Sequence, residues 1–210
     1  MQIKKQLINV LTATVFTFLS MLLFKVVASS MIAGYGDFAK EAFAMASSKL
    51  FSKVIILIIV SAIVYAVLSF TKAKYTKLLY IIWGIVTGII CFAVCAKTNI
   101  YYDGAAEIKA MATVAIRTHY FVYGIAFPLF QLLMCILACG KSLKANIVNQ
   151  AISTVCFLLL FWIFNLVTLY LLSLLYLGIA IAACMAVIIT YIPALNMEYI
   201  KAQIKKPAES

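Results

Sequence analysis

From Ala151 to Leu195 the chain runs for 45 residues without a charged side chain. A helix crosses the roughly 30 Å hydrocarbon core of a bilayer in about 20 residues. The stretch is therefore too long for one crossing and is expected to cross twice, turning near Tyr170–Ser173. No Gly or Pro marks that turn, but a turn at headgroup depth finds water for its free backbone groups. The rest of the chain repeats the theme. The six expected spans are about Leu7–Ile32, Val54–Phe70, Leu78–Ala96, Tyr120–Cys139, Ile147–Leu169 and Leu171–Leu195.

Composition agrees. Hydrophobic residues make up 67% of the 210, charged residues 11%, and the mean hydropathy is +1.14. A soluble domain is nearer half apolar and a quarter charged. No water-soluble fold covers so much apolar surface, so the expected solvent is lipid and the fold class is an all-α integral membrane protein. One membrane domain, 1–210, accounts for the length. Within it the chain divides into unit one (about 5–71), unit two (about 77–140), a third hairpin (about 147–195) and a tail (196–210).

The lysines set the orientation. Lys4 and Lys5, then Lys72, Lys74 and Lys77, then Lys141 and Lys144, then Lys201, Lys205 and Lys206 all fall on one side of a six-span path. Basic residues gather on the cytoplasmic side, so both termini are expected there, in a plasma or inner membrane. The apolar run after Lys5 exceeds the 7–15 residues of a signal-peptide core, which favours an uncleaved first span. The net charge of +11 does not point to nucleic acid: the cations lie between apolar spans, and Arg117 is the one arginine, the residue best shaped to grip phosphate.

The connection after span one reads "YGDFAKEAFAMAS" (35–47), and that after span three reads "YYDGAAEIKAMAT" (101–113). Aligned without a gap at an offset of 66, they share Y-x-D-x-A-x-E-x-x-A-M-A-[ST]. Asp37 pairs with Asp103 and Glu41 with Glu107, and these are four of the six acids in the chain. Both copies fall on the outer side, so each unit reads as basic loop, span, outer motif, span, basic loop. The expected architecture is two tandem helical hairpins with duplicated outer amphipathic helices, plus a third hairpin. Internal repeats are common in transporters. Within a copy, Asp at a helix start can cap it, and Glu four residues on shares its face and suits the positive end of the helix dipole. Two readings stand: a cap and solvated face leading into the next span, or four convergent carboxylates offering oxygens to a hard cation or a basic partner.

Other candidates lie in or near the spans. Lys25 is the one charge within an apolar span. It either snorkels to the outer interface or meets a solute anion or a carboxylate such as Asp37 or Asp103. Arg117 and His119 stand at the outer start of span four, where an interfacial role is expected, with a partner or solute contact as the alternative for these two as for Lys25 and Gln131. Gln131, Gln150 and Asn165 are expected to hydrogen-bond between helices, and Pro128 to kink span four beside Gln131. Cys91/Cys95 and Cys135/Cys139 are i, i+4 pairs at opposite membrane depths, and together with Cys156 and Cys184 they read as packing residues.

The spans carry no Asp or Glu, which weakens a proton- or sodium-driven carrier. There is no HExxH, P-loop or glycine-rich nucleotide fingerprint, and the single His leaves little catalytic chemistry. No enzyme activity, cofactor or metal is expected. Two classes remain: an accessory or assembly subunit of a larger membrane complex with a partner-binding outer face, or a transport component, either a pore or a substrate-capturing subunit of an ATP-driven importer. In size, span number and inward termini the chain is similar to the substrate-binding subunits of energy-coupling-factor importers. That architectural likeness implies Lys25 and Gln131 as solute contacts.

Overall fold

The computed structural model describes residues 2–31, 37–71, 73–98, 119–139 and 143–169, with side chains described for most of them. Five helical elements account for nearly all of this. They are α1 (Gln2–Met31), α2 (Asp37–Leu68), α3 (Ala73–Ala96), α4 (His119–Ala138) and α5 (Leu143–Leu169). Among the described residues, four stretches are long and apolar enough to cross a membrane: Ile3–Val26, Ala44–Leu68, Tyr75–Ala96 and His119–Ala138. The expected span five is helical, described as far as Leu169, and Asn146–Leu159 is an apolar stretch within it. The expected span six and the second copy of the outer motif lie outside the described residues.

The first copy of the motif is not a separate amphipathic helix. Asp37 opens α2, which runs unbroken for 32 residues to Leu68, about 48 Å at 1.5 Å per residue. Motif and span two are one rod, longer than a bilayer core is thick. The loop after it is shorter than the lysine-rich stretch suggested. Ser69 and Thr71 close a tight turn back onto the last carbonyls of α2, with Ser69 Oγ donating to Tyr65 O at 2.8 Å and Thr71 Oγ1 to Leu68 O at 2.6 Å. Helix resumes at Ala73, so Lys74 and Lys77 lie in the first turns of α3. Cations there oppose the helix dipole.

Helix α4 occupies the centre. It packs against α1, α2, α3 and α5, and 67% of its span is buried, against 28–39% of the other three. The outward faces of α2 and α3 carry Ile56, Ile59, Ile63, Ile81, Ile85 and Ile89, all exposed. The interior meanwhile holds buried Asn, Gln, Ser and Thr side chains. Apolar outside and partly polar inside is the distribution lipid favours, because lipid tails give apolar side chains no reason to turn inward.

Two local features seat α4. Residues Val122–Ala126 form one π-helical turn, in which the Phe127 N–H reaches back to Val122 O. Pro128 follows at once. Proline lacks an N–H and crowds the carbonyl four residues earlier, and the wider turn takes up that conflict without a break in the helix. One extra residue in a turn also rotates everything after it by about 100°, and so helps aim Gln131 relative to Tyr123. The other feature is Gly124. A Cβ built there would stand 2.8 Å from Cα of Phe92 in α3, so the two backbones approach at a distance only glycine permits. Just past the C-terminal end of α3, Thr98 receives the Lys53 ammonium on its Oγ1 at 2.9 Å and the Tyr120 hydroxyl on its carbonyl at 2.8 Å. These bonds tie α2, α3 and α4 together.

Candidate functional site: a buried amide relay

Helices α1 and α4 run antiparallel, and α5 returns beside α1 in the same direction as α1. Where the N-terminal parts of α1 and α5 meet the C-terminal end of α4, Asn9 Nδ2 donates to the carbonyl of Ala138 at 2.7 Å. Ala138 is the last residue of α4, so its carbonyl has no intrahelical partner. Asn9 supplies one from another helix.

That contact fixes the polarity of the side chains behind it. A carbonyl only accepts, so the Asn9 amide must present its NH₂ to Ala138 and its oxygen away. Asn146 Nδ2 donates to that oxygen at 3.1 Å and also approaches Thr12 Oγ1 at 3.2 Å. Asn146 Oδ1 then accepts from Gln150 Nε2 at 2.9 Å. The relay reads Gln150 to Asn146 to Asn9 to Ala138 and cannot be reversed by flipping one amide. All three side chains are buried. The relay ends on Gln150 Oε1, which has no hydrogen-bond partner among the described residues.

Gln131 repeats the pattern nearer the centre of α4. It is fully buried, and its Nε2 donates to Ile58 O of α2 at 3.0 Å and approaches Thr14 Oγ1 of α1 at 3.3 Å. It bonds between helices, as expected from sequence. Its Oε1 also lacks a partner among the described residues. Further bonds cross the bundle: Ser47 with Tyr123 at 3.0 Å, Ser61 with Thr87 at 3.2 Å, Ser69 with Tyr80 at 2.5 Å and Ser20 with Thr154 at 3.3 Å.

Toward the N-terminal end of α4 the core turns aromatic. His119 stacks on Tyr123 with ring centroids 6.0 Å apart and stands edge-on to Phe24 at 5.8 Å. It opens α4 and is fully buried within the bundle. Its neighbours on both sides are aromatic, and that ring cluster draws it inward. Lys25 is exposed, with its ammonium 5.8 Å from the Phe51 ring centroid, a cation–π contact between α1 and α2. Cys91, Cys95 and Cys135 are buried, Cys139 and Cys156 partly so, and all are free thiols. No group of three metal-ligating side chains occurs among the described residues.

Asp37 and Glu41 sit in the first turns of α2, their side chains outside the described set, and Asp103, Glu107 and Arg117 also lie outside it. Of the expected contact residues, His119 and Gln131 both face the core, at different depths, while Lys25 stands apart from them. Asn9 and Asn146 were not singled out from sequence. The available signal was that Asn146 and Gln150 fall four apart on one helix face.

A bundle with four helices long and apolar enough to cross a membrane, lipid-suited outside and hydrogen-bonded within, is that of a multi-pass membrane protein. No family model, characterised protein or solved structure matches the chain, so its functional reading rests on its own residues.

Proposed function

We propose that the chain is a non-enzymatic accessory or assembly subunit of a larger membrane complex. It crosses a plasma or inner membrane six times with both termini cytoplasmic. Its two hairpins carry duplicated outer elements, and these form the face that meets a partner. The partners are the lipid bilayer and other membrane subunits, or further copies of the chain. The observation that carries this reading is how the buried polar groups are used. Asn9, Asn146, Gln131, Ser47 and Ser61 each bond a different helix. Polar side chains used in this way hold spans in one arrangement, which suits a scaffold that must present a fixed surface. Extraction in mild detergent followed by affinity purification tests it, and a stoichiometric membrane partner is expected.

A second reading, a pore or the substrate-capturing subunit of an ATP-driven importer, draws on the buried amide oxygens of Gln131 and Gln150. Polar groups inside a bundle mark solute paths in many transporters. Flux through the purified protein alone in liposomes, or co-purification with an ATPase pair, would favour this reading.

A further inference from the structure

Lys5 and Lys25 stand 20 residues apart in α1, and Lys77 of α3 stands 20 residues from Lys97, just past the end of that helix. At 1.5 Å per residue each pair is separated by about 30 Å, the thickness of a bilayer's hydrocarbon core. All four side chains are exposed. Lys25 also lies over Phe51 of α2, and Lys53 of α2 donates to Thr98, the residue after Lys97. These contacts bring Lys25, Lys53 and Lys97 to one level of the bundle, one core thickness from Lys5 and Lys77.

Lys53 is the most firmly placed of the three. Thr98 Oγ1 donates its own proton to Val94 O at 2.8 Å, so it meets the Lys53 ammonium with a lone pair, at 2.9 Å. An ammonium has three N–H donors, and this bond uses one. Lys49 stands one turn away on the same face of α2 and is exposed. In the other direction that face continues through Ile56 and Val60. The face of α3 that ends at Lys97 passes through Ile90 and Ala93, and all four of these side chains are exposed. Cations at the head of exposed apolar stripes match the two parts of a phospholipid. We propose that Lys53 and Lys97 bind the phosphate of an anionic phospholipid whose acyl chains lie along the α2 and α3 stripes. Ammonium-to-phosphate hydrogen bonds are charge-assisted, and clustered cations at a span end favour anionic headgroups. Thr98 is a positioning residue: it holds the Lys53 ammonium at the position next to Lys97. The proposal rests on the multi-pass membrane reading alone and holds for an assembly subunit and a transporter alike.

Solid-state NMR on the full chain, with isotope-labelled lysine nitrogen, reads the contact directly. The bilayer is a galactolipid with phosphatidylglycerol as a minor component and the only source of phosphorus. The Lys53 Nζ signal is the one lost in Lys53→Gln. In the unmodified protein it is expected to be dephased by lipid phosphorus. The dephasing is expected to fall at least twofold in Lys97→Gln and in Thr98→Val, and to persist in Thr98→Ser. No phosphorus dephasing at Lys53 in the unmodified protein overturns the proposal, whether or not any variant folds, and leaves the assembly reading untouched. Dephasing by labelled Asp or Glu carboxylate carbon in its place assigns Lys53 to an ion pair and also overturns it. Equal dephasing by inorganic phosphate, with phosphatidylglycerol omitted, overturns the lipid assignment. Dephasing that Lys97→Gln leaves unchanged overturns the shared site.

Discussion

Asn9 of the first helix donates to the carbonyl of Ala138, the last residue of the fourth, at 2.7 Å. Residues 129 apart in sequence thus complete one helix end, and the direction of three successive amides follows from that one bond. Replacing Asn9 by Leu strands both the Ala138 carbonyl and one bond of Asn146. The expected loss is about 1–3 kcal/mol, read as a lower unfolding midpoint in detergent. Asn9→Gln, which keeps the amide but displaces it, should fall between. No change in Asn9→Leu would mean the relay is not used.

Gly124 and Gly88 make opposite predictions. A Cβ at Gly124 meets the Phe92 backbone at 2.8 Å, while one at Gly88 meets nothing within 4 Å. Gly124→Ala should therefore push α3 from α4 and cost about 1–3 kcal/mol. Gly88→Ala should be neutral, or stabilise by up to about 1 kcal/mol through helix propensity. Parallel unfolding curves of the two variants check this, and equal effects would contradict the close approach.

Lys25 lies over Phe51 and is exposed. If the contact is an anchor, Lys25→Met costs no more than about 1 kcal/mol and leaves partner capture intact. Selective loss of function with unchanged unfolding would restore Lys25 as a solute or partner contact.

Much of the fold was legible because lipid imposes a simple rule: long apolar runs must be helices. The run ending at Ala96 is a helix that stops there, and the run before Leu169 is helical as far as it is described. A helix leading from the outer motif into span two was legible as one of two readings. Lys49 and Lys53 interrupt the apolar pattern, yet helix geometry passes through them unbroken. Gln150 bonds Asn146 of its own helix, one turn away, whereas Gln131 was readable as an interhelical group because an amide inside a span needs a partner. Asn9 and Asn146 were not, because amides near span ends are unremarkable until the fold brings α1 and α5 side by side. The burial of His119 was hidden for a similar reason: its partner Phe24 lies on another helix.

The duplicated acids test the outer face. Double replacement of Glu41 and Glu107 by Ala is expected to weaken partner capture without changing the unfolding midpoint, since the partner-binding role is assigned to that face. Capture and response to added divalent cation both unchanged would remove the acidic elements from any binding role.

The most direct measurement is the mass of the particle extracted from its native membrane in mild detergent. The chain alone is 23.2 kDa. An assembly subunit predicts a larger particle containing a second membrane protein in fixed ratio. A particle built from this chain alone that also conducts solute in liposomes would contradict the account.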